Sequence, residues 1–140
     1  MSLANSILLV DDEPHVIRIM KLALVKAGYE VDQAANGIQA LDKIDQVHPD
    51  VLITDIDMPR MDGRELCMRI EQSIPDRNLR IYVLTSRAED EHREWTGNMR
   101  NLEFLEKPVS IRQLVTRLNE YFEKQSTIGD GACLRLQSTT

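Results

Sequence analysis

Four short apolar runs in this sequence each stop at or beside a residue that carries a charge or a hydroxyl group. Asp11 and Asp12 follow the first of these runs, and Asp55, Thr85 and Lys107 close the others. Carboxylates bind hard divalent cations and can also form aspartyl phosphates. A hydroxyl and an ammonium group can hold phosphate oxygens. The residue types therefore indicate metal-assisted phosphoryl chemistry, provided that the fold brings them together.

The elements that must position these residues alternate along the chain between strand and helix patterns. Continuous apolar runs such as Ile7–Val10 are typical of strands buried on both faces. Apolar residues at helical spacing lie between the runs, with proline, glycine and capping signals at the helix ends. We predict an α/β fold, with five parallel strands in one doubly wound sheet and five helices on its faces. The predicted strands cover residues 7–10, 29–34, 51–54, 81–84 and 102–105.

The spacing of apolar residues also marks where the helices lie. A fourth helix is expected to begin at Ser86 and a fifth at Ser110, and periodicity is lost after Lys124. The apolar residues of the first helix are Val16, Ile19, Met20, Ala23, Leu24 and Ala27, and those of the second are Ile38, Leu41, Ile44 and Val47.

Composition limits the functions that the chain can have. Its 140 residues fit one domain. The net charge of −6 argues against direct nucleic-acid binding, which needs a basic surface. No apolar stretch approaches the roughly 20 residues that span a bilayer, so we expect no membrane association. Cys67 and Cys133 are interpreted as free thiols of a reducing compartment, the cytoplasm.

Three carboxylates would meet if the first strand lies beside the third, since neighbouring strands are about 4.8 Å apart. Two like charges about 4 Å apart repel by about 1 kcal/mol in water and by roughly 4 at a dielectric constant of 20. A divalent cation would offset the repulsion, and oxygen ligands favour magnesium, manganese or calcium over zinc. Lys107, two strands from Asp55, has a side chain long enough to reach a phosphate there.

These residues lie in four motifs that together resemble the receiver domain of two-component response regulators. The motifs occur in the order and at the separations typical of that family, and the resemblance covers about residues 7–124. It implies a flavodoxin-like strand order, 2-1-3-4-5. The motifs are V-D-D-E-P at Val10–Pro14, D-I-D-M-P-R-M-D-G at Asp55–Gly63, V-L-T-S at Val83–Ser86 and E-K-P at Glu106–Pro108.

The resemblance assigns the acidic residues. Asp55 would be the phosphoacceptor, and Asp12 and Asp55 would bind Mg²⁺, or Mn²⁺ in its place, through their carboxylates. Asp11 would act on the metal through a water molecule, and Asp57 would contribute its backbone carbonyl.

The resemblance also assigns the remaining site residues. Thr85 and Lys107 would hold the phosphate, and Phe104 stands at the position of the family's switch aromatic. Asp57 and Arg87 stand at positions that tune the rate of dephosphorylation. Our hypothesis is that these two side chains pair across the mouth of the site and restrict water.

The implied function is that of a phosphoryl-accepting switch and not of an enzyme. A sensor histidine kinase, or a phosphotransfer protein, would donate the phosphoryl group from a phosphohistidine in a magnesium-dependent reaction. The domain would assist its own phosphorylation and dephosphorylation. It would then change the surface formed by the fourth helix, the fifth strand and the fifth helix, to which an output domain or target protein, or a second copy in a homodimer, could respond. Residues 1–124 would form the receiver domain, and residues 125–140 a tail or the start of a linker to an absent output domain.

Two other functions are compatible with parts of the pattern. A receiver-like interaction scaffold would have the same fold without taking phosphate. Haloacid dehalogenase-like phosphatases also use a D-x-D motif such as Asp55–Asp57, but their acidic pair follows the lysine, whereas Asp11 and Asp12 precede it here. Asp11 and Asp12 could also simply cap the first helix, and Asp62 and Gly63 favour a turn.

Overall fold

The computed structural model describes residues 5–58, 60–73, 79–86 and 101–137, with side chains up to residue 124. Strands and helices alternate in this part of the chain as the sequence predicts. The strands are β1 (Ser6–Val10), β2 (Glu30–Ala34), β3 (Val51–Asp55), β4 (Arg80–Thr85) and β5 (Leu102–Glu106). The helices are α1 (Pro14–Lys26), α2 (Gly37–Val47), α3 (Gly63–Ser73) and a C-terminal helix (Ile111–Gln137).

The five strands form one sheet in the order β2-β1-β3-β4-β5, and every neighbouring pair is parallel. The predicted fold class and strand order are therefore confirmed. Val10 pairs with Thr54, Asp55 with Leu84, and Thr85 with Glu106. This register brings the carboxyl ends of β1, β3, β4 and β5 to the same edge of the sheet.

The buried apolar residues explain why the chain adopts this sheet. Each residue of β3 is buried, whereas β2 at the sheet edge buries only Ala34 among its five residues. A central strand has a neighbouring strand on each side and is covered on both faces of the sheet, so its sequence is an unbroken apolar run. One face of the sheet packs with α2 and α3 into a cluster that includes Leu8, Leu52, Val83, Ala40 and Leu66, with Phe104 against it.

The buried residues of the first helix only partly coincide with the apolar residues that mark it. Met20 and Leu24 are buried, and so is Ile17. Ile19, one of the apolar residues at helical spacing, is 54% exposed. Large apolar residues lie on more than one side of this helix, since Leu22 and Val25 are also more than half exposed, so size alone does not identify the buried face.

In the second helix, two of the four apolar residues that mark it do not lie on the buried face. Gly37, Ala40 and Ile44 are buried, whereas Ile38 and Val47 are largely exposed. A spacing of three residues drifts by about 60° per step around a helix with 3.6 residues per turn. A Cβ atom at Gly37 would lie 2.7 Å from the Met61 side chain, and Ala40 is fully buried, so these small residues mark the buried face.

Local signals at the helix ends are mostly confirmed. Pro14 begins α1, and Gly28, just past its end, has a φ of 102° that favours glycine. Asp62 accepts a hydrogen bond from the Glu65 N–H at 2.8 Å through Oδ1, so the predicted turn at Asp62 and Gly63 serves to cap α3.

The C-terminal helix differs from expectation in its length. Ser110 Oγ accepts a hydrogen bond from the Gln113 N–H at 3.3 Å, as the predicted cap requires. The backbone stays helical to Gln137, although a tail or linker was expected after Lys124. No proline interrupts residues 111–137, and the two glycines there only weaken helix propensity, by about 1 kcal/mol each. The domain boundary at residue 124 stays a prediction.

The predicted fourth helix falls on residues 87–100, which lie outside the described residues. Within the described part of the chain, none of the helices has the length and apolar character needed to cross a membrane.

Candidate functional site

Three carboxylates meet at the carboxyl edge of the sheet. Asp11 and Asp12 directly follow β1, and Asp55 is the last residue of the neighbouring strand β3. Each of the three offers one oxygen, and these oxygens all lie within 4.8 Å of one another. Ligands around Mg²⁺ at about 2.1 Å can be at most about 4.2 Å apart. Small side-chain adjustments would therefore allow all three to approach one hard cation.

The two carboxylates after β1 have different environments. Asp11 is 6% exposed, and its Oδ1 accepts a hydrogen bond from the Glu13 N–H at 2.9 Å. Burial raises the pKa of Asp11, and the negative charges of Asp55 and Asp12 raise it further, although the bond from Glu13 acts in the opposite direction. Asp12 is exposed. The backbone thus holds Asp11 in place, while the Asp12 side chain can orient towards a ligand from the solvent side.

Lys107 provides the positive charge of the site. Its Nζ donates a hydrogen bond to Asp55 Oδ1 at 2.8 Å, and the Asp55 side chain is only 7% exposed. Partial burial by itself lowers the pKa of Lys107, but the hydrogen bond to Asp55 and the charges of Asp55, Asp11 and Asp57 outweigh it, so the pKa is raised. Lys107 is therefore protonated at neutral pH.

Thr85 ends β4, the strand between β3 and β5, and it is 1% exposed. Its backbone carbonyl accepts a hydrogen bond from the Lys107 N–H at 2.7 Å. This bond keeps the start of the loop that carries Lys107 against the end of β4. Asp55, Thr85 and Lys107 thus come from three successive strands at one edge.

The remaining residues that the sequence predicts for the site are Asp57, Phe104 and Arg87. Asp57 is exposed, and its N–H lies 3.4 Å from Asp55 Oδ1. Phe104 is half-buried in β5, pairs in register with Val83 and packs against the core cluster. Arg87 lies outside the described residues, so its predicted pairing with Asp57 stays a prediction.

Two residues that the sequence interpretation did not assign to the site contact the backbone of Asp55. Thr54 is fully buried, and its hydroxyl donates a hydrogen bond to the Asp55 carbonyl oxygen at 2.9 Å. A Cβ atom at Gly63 would collide with the same oxygen and would lie 2.9 Å from Ile56 Cα. The available signals were a hydroxyl at the end of an apolar run and a glycine that opens a helix beside the acidic loop.

Comparison with known proteins agrees with this geometry. The model of the response regulator receiver domain matches residues 7–119. Sensor protein EvgS of Escherichia coli (strain K12) is 38% identical over 115 residues, which are 82% of this chain and 9% of that protein. Sporulation initiation phosphotransferase F of Bacillus subtilis (strain 168) is 31% identical over 122 residues, 87% of this chain and 97% of that protein.

A solved structure shows the same architecture. The chemotaxis protein CheY4 of Vibrio cholerae superimposes with a TM-score of 0.76 at 29% identity, covering 84% of this chain and 98% of that one. The chain belongs to the response regulator receiver domain family. Phosphorylation by a histidine kinase is the general function of this family, which consists of phosphoryl-accepting switches. The assignment favours a receiver over a haloacid dehalogenase-like phosphatase. The chain spans only a small part of EvgS.

Proposed function

We propose that Asp55 is the phosphoacceptor of this receiver domain. The observation that carries the proposal is the contact between Lys107 Nζ and Asp55 Oδ1 at 2.8 Å, with Asp11 and Asp12 gathered around the same carboxylate. One Asp55 oxygen thus has a cation beside it, while the neighbouring acidic groups supply ligands for a second cation. Positioning and charge compensation are most of what phosphoryl transfer requires.

The only reactants of the proposed transfer step are the Asp55 carboxylate and the phosphohistidine of the donor. A carboxylate oxygen of Asp55 attacks the phosphorus of a phosphohistidine, so that an O–P bond forms. The P–N bond breaks, and its electron pair stays on the imidazole nitrogen. Bound Mg²⁺, or Mn²⁺ in its place, would neutralise charge on the phosphoryl oxygens. Asp12 and Asp55 would hold that ion directly, Asp11 through water and Asp57 through its carbonyl group.

Other residues act on the phosphorylated state. The Lys107 ammonium pairs with a phosphate oxygen, and the Thr85 hydroxyl donates a hydrogen bond to another. Movement of Thr85 towards the phosphate and a change of Phe104 would alter the surface that contains β5. The domain thereby assists its own phosphorylation and, through the same groups and a water molecule, its own dephosphorylation.

Partners follow from this chemistry. The donor is a histidine kinase or a phosphotransfer protein in the cytoplasm, and the altered surface signals to an output domain or a target protein. EvgS carries the word sensor in its name, and the Bacillus relative is named a phosphotransferase. Both names are compatible with a receiver that works within a phosphotransfer chain.

The lifetime of the phosphate is proposed to depend on Asp57 and Arg87. Asp57 is exposed two residues after Asp55, so its side chain can lie on the path of water to the phosphate. We expect Asp57→Ala and Arg87→Ala each to change the rate of autodephosphorylation several-fold, measured as decay of the phosphorylated chain after removal of the donor. Unchanged lifetimes in both variants would reject this role.

The central experiment is intact mass spectrometry after incubation with acetyl phosphate and Mg²⁺. We expect one phosphoryl group on the wild-type chain and none on Asp55→Asn. Asp62→Asn is the matched control, because it changes an exposed carboxylate that caps α3, and it should be modified as the wild type is. A modified Asp55→Asn variant would refute the assignment, and an unmodified wild type would favour the interaction scaffold.

A further inference from the structure

The backbone carbonyl of Asp55 lies where the regular sheet ends. The pairing of β1 with β3 stops at Val10 and Thr54, one residue before Asp55. On the other side, the Ile56 N–H donates a hydrogen bond to the Leu84 carbonyl at 3.1 Å. The backbone at Asp55 is therefore anchored to β4, whereas its β1 side must be fixed by other groups.

Thr54 supplies one of these groups. Its side chain is 0% exposed in a strand that is otherwise apolar up to Ile53. Its hydroxyl donates to the Asp55 carbonyl oxygen at 2.9 Å. A buried hydroxyl loses its hydrogen bonds to water, so it is retained at little cost only where it has a partner. The partner here is the backbone of the residue that we assign as phosphoacceptor.

Gly63 also limits the position of the Asp55 carbonyl group. Its N–H donates to the Ile56 carbonyl at 2.9 Å, and its Cα lies so close to Asp55 that there is no space for a Cβ atom. The first residue of α3 thus packs directly on the Asp55 backbone. The hydroxyl of Thr54 and the close approach of Gly63 together determine where the peptide group after Asp55 can lie.

We propose that Thr54 is a positioning residue for phosphoryl transfer, in that its hydroxyl orients the Asp55 backbone and thereby aims the carboxylate at the cation site and at Lys107. This inference rests on the proposed role of Asp55. Thr54 does not touch the reacting atoms. Small errors in the position of a reacting group slow a reaction strongly, so the loss of one orienting hydrogen bond should be visible in the rate.

Two substitutions separate orientation from packing. Thr54→Val keeps the shape of the side chain but removes the hydroxyl. Thr54→Ser keeps the hydroxyl but removes a buried methyl group, which lowers stability. The rate of phosphorylation by acetyl phosphate in the presence of Mg²⁺ should fall about 5-fold in the valine variant. A change of this size corresponds to the net free energy of about one hydrogen bond. The serine variant should stay close to the wild type in rate although it is the less stable of the two.

The decisive result is that the two variants rank differently in the two measurements. In urea unfolding, Thr54→Val should be more stable than Thr54→Ser. In phosphorylation, Thr54→Ser should react faster than Thr54→Val. Equal rates for Thr54→Val and the wild type would overturn the inference. Rates that fall in proportion to lost stability in both variants would overturn it as well, because they indicate packing alone.

Binding of Mg²⁺ alone, measured by calorimetry, distinguishes this inference from the proposed function. If the wild type takes no phosphoryl group, the role of Asp55 fails, but weaker Mg²⁺ binding in Thr54→Val than in Thr54→Ser would still support positioning by Thr54. If the wild type is phosphorylated on Asp55 and the valine variant matches it in rate and in Mg²⁺ affinity, only the role of Thr54 fails.

Discussion

The two edges of the sheet differ in how their polar side chains are partnered. At the amino ends of the strands, Asp50 accepts a hydrogen bond from the Ser6 N–H at 2.9 Å, and its own N–H donates to Ser6 Oγ at 3.2 Å. On the same side, Arg80 and Glu103 form an ion pair at 2.6 Å between β4 and β5. Asp50 is thus partnered by neutral groups of Ser6, and Arg80 and Glu103 by opposite charges.

The carboxyl ends of the strands carry an excess of one charge. Asp11, Asp12 and Asp55 meet there, and Lys107 is the ammonium group that contacts them, through Asp55. Burial and like charges raise the pKa of Asp11, so the arrangement opposes ionisation of this carboxyl group. In a purely structural site, the neighbouring groups would favour ionisation. A divalent cation would offset the repulsion among carboxylates gathered in this way.

The largest effect expected from this comparison is that of Lys107→Ala on phosphoryl transfer. The substitution removes the cation beside Asp55, and loss of one group that stabilises transition-state charge costs about 100-fold or more in rate. The measurement is the initial rate of modification by acetyl phosphate at saturating Mg²⁺. A variant as fast as the wild type would show that the lysine does not take part in the transfer.

Glu103→Gln is the matched control, on β5, the strand that ends one residue before Lys107. It breaks the ion pair with Arg80 at the other edge, where the side chains are 22% and 29% exposed. We expect the free energy of unfolding to change by at most about 1 kcal/mol and the phosphorylation rate to stay unchanged. A rate reduced as strongly as in Lys107→Ala would remove the distinction between the two edges.

The sequence was sufficient to predict the strands because those in the centre of the sheet are buried on both faces. Val51 to Ile53 must then be apolar without interruption, a signal that does not depend on neighbouring elements. Which face of a helix is buried depends on how closely the helix packs against its neighbours. The positions of large apolar residues alone do not show this closeness. On α2, Ala40 is buried and Ile38 is 48% exposed, so the smaller side chain marks the buried face.

The candidate site shows the same limit. Parallel strands bring their carboxyl ends together, so Asp11, Asp55 and Lys107 could be expected to meet from their positions after apolar runs alone. Thr54 and Gly63 could not be recognised in this way. Their contacts with the Asp55 carbonyl depend on where α3 begins in space and on the rotamer of a buried hydroxyl, and neither is encoded in residue spacing.

A smaller effect is expected for Asp11→Asn in the absence of divalent metal. The pKa of Asp11 is raised in the folded state, chiefly by burial. The folded protein therefore binds more protons than the unfolded chain between the two pKa values, and the contribution of Asp11 to stability falls as pH rises through that window. Asparagine has no charge to bury, and its side-chain oxygen can still accept the hydrogen bond from Glu13.

Urea unfolding in EDTA at pH 7 should therefore show that Asp11→Asn is more stable than the wild type by about 1 kcal/mol, the size of one Coulomb interaction at 4 Å in water. The difference should shrink as the pH is lowered and Asp11 becomes protonated. Saturating Mg²⁺ should stabilise the wild type more than the variant if the cation binds the carboxylate cluster as proposed. An Asp11→Asn variant that is less stable than the wild type in EDTA at pH 7 would mean that the carboxyl edge is built for folding, as the amino edge is.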